Sequence, residues 1–153
     1  MPDAIRLKIE RANQHIEELN GVIQGFMATN PYRVVSKRDA KTSEHVIYVE
    51  TAHPLPLMVP LIAGDVIQNL YSSLDYLATE LVAANGQNPS TKTAFPIVKN
   101  VPFTKEEKAR YEGQVDGMRQ EAKKLLASMK MYRGEDNLFW ALHKLNNINK
   151  HRS

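Results

Sequence analysis

Residues 60–84 read PLIAGDVIQNLYSSLDYLATELVAA, and this stretch decides the fold. Five of its apolar side chains recur at alternating spacings of three and four residues, which places them on one face of an α-helix. They are Ile67, Leu70, Leu74, Leu77 and Leu81. Pro60 suits the first helical turn, and Asn85-Gly86 offers a left-handed stop. Because so wide a stripe needs cover on more than one side, the helix is predicted to lie inside a bundle.

The segments before this helix predict one more helix and a hairpin. Residues 2–29 carry an apolar repeat typical of an amphipathic helix of coiled-coil quality, able to pack on the central helix or on a second subunit. Residues 32–50 contain two runs of β-branched and aromatic residues around a polar turn, which predicts a β-hairpin. We therefore expect a mainly α fold, a four- to five-helix bundle with the hairpin inserted between helices 1 and 2.

A loop over residues 87–103 is expected to separate the central helix from the helices that follow. Thr104 and Glu107 have the spacing of a capping box, so a short charged helix should begin there and run to about Glu112. A further helix is predicted over residues 118–131. Its expected core side chains are Leu125, Leu126 and Met129.

The last helix is predicted to begin at a cap formed by Asp136 or Asn137. Its expected core stripe contains Leu138, Ala141, Leu142, Leu145 and Ile148. Residues 146–153 that follow are polar and basic, and no glycine or proline ends the helix. This pattern fits a protein shortened at its C-terminus, and whether the native chain continues beyond Ser153 stays open at this level.

Length and composition indicate one domain over residues 1–153. Apolar residues make up 42% of the chain and charged residues 24%, as in ordinary soluble proteins. The absence of cysteine excludes disulfides and thiolate chemistry and makes a cytoplasmic protein the expectation. The N-terminus has no signal-peptide core, and residues 55–64 are too short for a bilayer, which takes about 20 residues, so no membrane partner is expected.

Charge is distributed unevenly along the chain. Residues 1–117 hold 12 Lys and Arg against 14 Asp and Glu, a net charge of −2. Residues 118–153 hold 8 against 3, a net charge of +5. This asymmetry permits contact with an anionic partner such as RNA, although basic helix faces are often only solvated.

Two polar sets, on the central and last helices, form the candidate site. The first contains Asp65, Asn69, Ser72, Asp75 and Tyr76, with Tyr71 one turn before Asp75, and the second contains Asn146, Asn149, Lys150, His151 and Arg152. If these helices are neighbours, carboxylates meet His151 and Arg152 in a cleft. A carboxylate-tuned histidine suits acid–base catalysis, and arginine or lysine can hold a phosphate. A buried polar network that fixes helix register is the structural alternative.

Other chemistry has little support in the sequence. The five histidines are dispersed, without a pair at helical spacing. The chain has no glycine-rich phosphate loop and no serine nucleophile elbow. We therefore expect neither a metal nor a cofactor.

Three motifs resemble those of a widespread group of uncharacterised bacterial proteins. They are GDVIQNLYSSLDYL (64–77), FPI (95–97) and LNNINKHR (145–152). The group has Gly-Asp followed by Asn-Leu-Arg-Ser-Ala-Leu-Asp-His, then Phe-Pro-Ile and Asp-Lys-His-Arg. It is similar to HEPN domains, helical bundles whose active members are metal-independent ribonucleases with a site built across a homodimer. Inactive members bind nucleotides or partners.

The resemblance spans roughly residues 30–152, and the chain departs from it at three charged or ionisable positions. Tyr71 stands where the group has arginine, Tyr76 where it has histidine, and Asn149 where it has aspartate. The positions that match are Asp65, Asn69, Asp75, Lys150, His151 and Arg152. Tyrosine neither holds a phosphate as arginine does nor transfers protons near neutral pH. The resemblance therefore implies a HEPN-like homodimer with a degenerate catalytic motif, binding RNA or nucleotide.

Two alternatives remain open at this level. One is a metal-independent endoribonuclease of a defence or toxin system, with His151 and Arg152 as catalytic residues. The other is a protein-interaction scaffold built on the apolar seam of the first helix.

Overall fold

The computed structural model describes residues 3–99, 104–135 and 137–150. Within these ranges the chain forms five helices and one antiparallel two-stranded sheet. The helices are α1 (Asp3–Ala28), α2 (Met58–Ala83), α3 (Lys105–Val115), α4 (Gln120–Ser128) and α5 (Asn137–Lys150), and the strands are β1 (Tyr32–Arg38) and β2 (His45–Thr51). The predicted mainly α fold with a hairpin between the first two helices is confirmed. None of the described helices is both long and apolar enough to cross a membrane.

The described residues group into two compact units. One unit is residues 14–63, and the other is residues 3–13 together with the described residues from 64 to 150. Helices α1 and α2 each contribute residues to both units. The single domain expected from the sequence stays a prediction.

The unit of residues 14–63 is organised by the hairpin. Strands β1 and β2 pair in antiparallel register, with Val34 opposite Val49. The turn between them is set by Asp39, whose Oδ1 accepts hydrogen bonds from the backbone N–H groups of Lys41 and Thr42, at 2.7 and 3.1 Å. An aspartate that bonds the backbone two residues ahead favours a turn over a continued strand.

The core of the other unit lies where α2 meets the loop after it and the three C-terminal helices. Tyr71, Ala78 and Val82 form the most buried line of α2, while the predicted stripe from Ile67 to Leu81 is half-buried. Helix α2 is therefore covered on more than one side, as its sequence predicts. The buried cluster also includes Phe95, Ile97, Val115, Met118, Leu126 and Met131.

Helix α3 begins at the predicted capping box. Thr104 Oγ1 accepts from the Glu107 N–H at 3.2 Å, and Glu107 Oε2 accepts from the Thr104 N–H at 3.0 Å. The helix runs three residues past its predicted end because Val115, which is 4% exposed, packs into the core. Gly117 then turns the chain with φ +77°, at a point where a Cβ would lie 2.9 Å from a Val82 methyl. Only glycine suits both requirements.

The predicted inner faces of α4 and α5 are partly wrong. In α4, Leu126 is buried, but Leu125 is 65% exposed and Met129 lies after the helix end with its side chain exposed. In α5, Leu142 is half-buried, whereas four of the five expected core residues are exposed. These four are Leu138, Ala141, Leu145 and Ile148.

The buried face of α5 instead carries His143 and Asn146. It is turned by about one residue, or about 100°, from the predicted stripe. Phe139 lies on this face with its ring centroid 5.7 Å from that of Phe95, and His143 contacts Tyr71. The imidazole of His143 faces inward here because it finds hydrogen-bond partners, which the apolar stripe cannot reveal. The predicted cap residue Asp136 lies outside the described residues, and Asn137 is the first residue of the helix.

Candidate functional site

A hydrogen-bonded chain of three side chains joins α2 to α5. Tyr71 Oη lies 3.0 Å from His143 Nδ1, and Asn147 Nδ2 lies 3.0 Å from His143 Nε2. Tyr71 and His143 are both buried. With the amide of Asn147 donating to Nε2, the neutral imidazole carries its proton on Nδ1 and donates it to the tyrosine oxygen.

The surroundings of His143 favour the neutral ring. Burial lowers the pKa of His143 below its usual value, and the positive charge of Arg110 lowers it further. Asp75 opposes this effect, and Lys150 adds to it. A neutral imidazole has one donor and one acceptor, which matches its two partners.

Tyr71 is held in its protonated form. Burial, with the carboxylate of Asp75, raises the pKa of Tyr71 to about 12, and Arg110 acts in the opposite direction. The ammonium of Lys150 lies 5.7 Å from the centroid of the tyrosine ring, within the range of a cation–π contact. Tyr71 therefore offers a neutral hydroxyl and an aromatic face, but not a phenolate.

Asp75 connects α2 to the loop that follows it. Its Oδ1 accepts a hydrogen bond from the backbone N–H of Phe95 at 3.1 Å. Burial raises the pKa of this carboxyl group. The hydrogen bond from the Phe95 N–H lowers it, and so do the charges of Lys150 and His143. The carboxylate anchors the Phe-Pro-Ile segment, so its first role is structural.

Asn69 and Asn149, two further members of the predicted polar sets, make separate contacts. Asn69 Oδ1 accepts from the ammonium of Lys8 at 3.4 Å, and its Nδ2 donates to the backbone carbonyl of Asp65 at 2.8 Å. Asn149 Nδ2 donates to the carbonyl of Gly64 at 3.4 Å. A Cβ on Gly64 would lie 2.6 Å from Asn149 Oδ1, so glycine allows α2 and α5 to approach here.

Asn146 is the most unusual of the predicted residues. It is 0% exposed, and neither its Oδ1 nor its Nδ2 has a hydrogen-bond partner among the described residues. Most buried polar groups are hydrogen-bonded, and an unpaired one costs about 1–3 kcal/mol. The amide lies one turn from both His143 and Lys150 on the face of α5 directed at α2.

The structure thus brings together only part of the predicted set. Tyr71, Asp75 and Lys150 lie in one cluster, with His143 at its centre. Asp65 and Tyr76 are exposed, and Tyr76 retains 44% of its accessible surface. His151 and Arg152 lie outside the described residues.

Three residues of the site were missed by the sequence analysis: Arg110, His143 and Asn147. His143 precedes Asn146 by three positions and Asn147 by four, so following the polar set back by one helical turn would have found it. Arg110 lies in α3, 39 residues after Tyr71, and no spacing in the sequence links the two.

A small cleft opens beside this cluster, between α3, α5 and the loop after Phe95. We call it the α3–α5 cleft, and its volume is about 160 Å³. Its polar lining residues are Lys99, Glu107, Arg110, Trp140 and His143, and its apolar ones are Ile97 and Val98. The ring centroids of Trp140 and His143 lie 5.8 Å apart, with the ring planes inclined by 32°. The cleft thus combines two cations, one carboxylate and two aromatic rings.

The described cluster suits binding better than proton transfer. Both ring nitrogens of His143 are engaged, so the imidazole can take a proton from a substrate only by giving up a partner. Tyr71 ionises far above neutral pH. No group of three potential ligand residues among the described ranges could hold a metal ion. What remains available for a ligand is the cationic and aromatic lining of the cleft.

The lowered pKa of His143 predicts a pH dependence of stability. Below about pH 6.5 the unfolded chain takes up a proton at this position that the folded protein resists, so the free energy of unfolding should fall as the pH decreases through this region. Urea unfolding of wild type and His143→Gln from pH 5.5 to 8 measures the effect, and the variant should show a shallower dependence. His53→Gln, at an exposed position, is the control and should follow wild type. Equal slopes for all three proteins would contradict the assignment.

The unpaired amide of Asn146 gives a second prediction. Asn146→Ala removes two unsatisfied polar atoms and leaves only a small cavity, so we expect the free energy of unfolding to rise by about 1 kcal/mol. Urea denaturation measures the change. Asn13→Ala, at an exposed position of α1, is the control for the higher helix propensity of alanine. A destabilised Asn146→Ala protein would show that the amide has a stabilising partner.

Comparison with known proteins adds no relative to this description. The chain matches no protein-family model, no curated protein and no solved structure. The resemblance to HEPN domains therefore stays a prediction, supported by the motifs of the sequence alone.

Proposed function

We propose that this chain is a HEPN-like helical domain that binds RNA without cleaving it, with a backbone phosphate held in the α3–α5 cleft. One observation carries the proposal. Lys99 and Arg110 line the same small opening, beside the neutral imidazole of His143 and the indole of Trp140. Lysine and arginine are the usual ligands of phosphate oxygens, and an aromatic ring that lines an opening can stack on a base.

The volume of the cleft favours one group of a polymer over a whole small molecule. Small-molecule pockets commonly enclose about 300–1,000 Å³, whereas this cleft encloses about 160 Å³. A single phosphate or one base edge fits a space of this size. A strand of RNA would place one such group in the cleft and continue across the surface.

The charges near the cleft are compatible with an anionic ligand. Its one carboxylate, on Glu107, accepts the hydrogen bond of the capping box at Thr104, which draws it toward the start of α3. The net charge of +5 on residues 118–153 would add a longer-range attraction for nucleic acid.

Removal of the cleft cations should weaken RNA binding. With fluorescein-labelled single-stranded RNA in EDTA, we expect Arg110→Gln to lose about 1.5–3 kcal/mol, roughly tenfold to a hundredfold in affinity, because a charge-assisted hydrogen bond is removed. The slope of log affinity against log salt should also become shallower by about 0.7. Fluorescence anisotropy measures both quantities.

The matched control is Lys41→Gln, which removes one positive charge from the exposed hairpin turn. It should change affinity much less than Arg110→Gln or Lys99→Gln. Equal losses for all three variants would indicate diffuse attraction and would contradict a cleft site. Binding of a free mononucleotide as tight as that of the RNA would assign the cleft to nucleotides instead.

The endoribonuclease alternative is tested in the same mixtures of protein and RNA. One observation favours it. Lys150, which directly precedes His151, lies over the ring of Tyr71, so the end of α5 is close to the motif of residues 64–77 on α2. Gel analysis of the RNA after incubation in EDTA should show intact strands. Cleavage by wild type that is lost in His151→Ala would replace the binding proposal with a metal-independent nuclease.

We also propose that the domain forms a homodimer through the apolar seam of α1. Ile16 and Ile23 belong to the repeat predicted to pack on a neighbour, yet they are 39% and 38% exposed, and Met27 beside them is 50% exposed. An apolar stripe left open on a helix is typical of an association surface. This proposal also covers the scaffold alternative, since the same seam would receive another protein.

Disruption of the seam should therefore separate the subunits. We expect wild type to sediment as a dimer and Ile16→Glu as a monomer, because a carboxylate in the seam would be buried unpaired. Analytical ultracentrifugation measures the mass. Gln14→Glu introduces the same charge at an exposed position of α1 and should remain dimeric. A monomeric wild type would refute the proposal.

A further inference from the structure

A second cavity, which the RNA proposal does not use, lies between α3, α4 and the chain after α4. We call it the α4 pocket. Its volume is about 330 Å³, and its walls are predominantly apolar. The apolar walls are formed by Pro96, Val98, Leu126, Ala127 and Met131. A cavity of this size and lining is of the kind that holds small molecules in other proteins.

The pocket is held open by ordered parts of the fold. Val98 and Tyr132 form a parallel β-bridge, in which the N–H of Val98 donates to the carbonyl of Met131 at 3.2 Å. Leu126 and Met131 belong to the buried core, with 6% and 3% exposure. A wall fixed by backbone bonding and a floor fixed by core packing make a preformed site, which binds without a large ordering cost.

The described lining of the pocket carries positive charge and no negative charge. Lys130 is the single charged residue of the lining, and it has φ +49° two residues after the end of α4. Tyr111 and Tyr132 supply the other polar atoms. Burial raises the pKa of Tyr111, and its hydroxyl oxygen is buried, so the phenol ring is the part of this side chain that lines the pocket. One cation in an otherwise uncharged lining complements an anionic oxygen.

The volume limits the size of the ligand. A dry apolar cavity of about 150 Å³ accepts one benzene ring. Twice that volume accommodates two fused rings or an aliphatic body of similar bulk. The lining supplies a single cation, so one anionic group is matched and a second would remain unpaired.

We propose that the α4 pocket binds a small amphiphilic carboxylate, with an apolar body of about two rings between Leu126 and Met131 and its carboxylate on Lys130. This site is separate from the phosphate proposed for the α3–α5 cleft, although Val98 lines both spaces. It does not depend on RNA binding.

The test uses 1-naphthoate as the probe and 1-naphthylmethylamine as the matched cation. Isothermal titration of the full chain should show one naphthoate per chain, bound at least tenfold more tightly than the amine. Methyl resonances of Ala127 and Met131 should shift on addition of naphthoate, which locates the probe without any substitution. No binding, or shifts confined to other methyl groups, would overturn the proposal.

Two variants separate the roles of volume and charge. Ala127→Leu should fill the pocket and reduce naphthoate affinity at least tenfold, while Ala141→Leu, at an exposed position of α5, should leave it unchanged. Lys130→Met keeps the length of the side chain and should abolish the preference for naphthoate over the amine. Retention of that preference in Lys130→Met would refute the assignment of the carboxylate.

Discussion

The hydrogen bond between Tyr71 and His143 sets the rotation of α5, and the candidate site follows from that rotation. Turning the helix by one residue would bury the stripe of Leu138 and Leu145, worth about 1.5–3 kcal/mol for each leucine. The same turn would leave the buried tyrosine hydroxyl without its partner, at about 1–3 kcal/mol, and would move the imidazole toward water. It would also remove Phe139 from Phe95. The observed rotation keeps these polar and aromatic contacts and leaves the two leucines exposed.

The rotation also creates the α3–α5 cleft. With His143 turned toward α2, Trp140 one turn earlier reaches the same opening, where α3 presents Arg110. The cation then lies close enough to affect the ionisation of both His143 and Tyr71. A ligand anion placed there would offset the positive charge of Arg110, which adds to the effect of burial in lowering the pKa of His143. Binding of the proposed anionic ligand in the cleft and protonation of His143 would therefore favour each other.

Local signals in the sequence located the helices and strands. The choice between two possible buried faces of a helix depended on the residues of other elements that pack against it. The capping box at Thr104 and the hairpin around residues 32–50 are set by neighbours in sequence, and both are found where predicted. In α5, Leu142 belongs to the apolar stripe and also borders the buried face of His143. Periodicity alone cannot choose between these two faces, since the answer lies in a tyrosine 72 residues away.

The residues of the candidate site also fall into two groups, those that local motifs locate and those that only the packing of the helices brings together. Motif positions on α2 led to Tyr71 and Asp75, but Arg110 reaches the cluster only through the packing of α3. In the group that this chain resembles, arginine occupies the position of Tyr71. A guanidinium there would be desolvated beside Lys150 and near Arg110, with Asp75 as the nearby carboxylate. A neutral tyrosine removes that repulsion and bonds to the histidine, and the cations that a phosphate could meet would then be the two that line the α3–α5 cleft. For the proposed HEPN-like domain, the tyrosine would thus favour a surface binding site over a buried catalytic one.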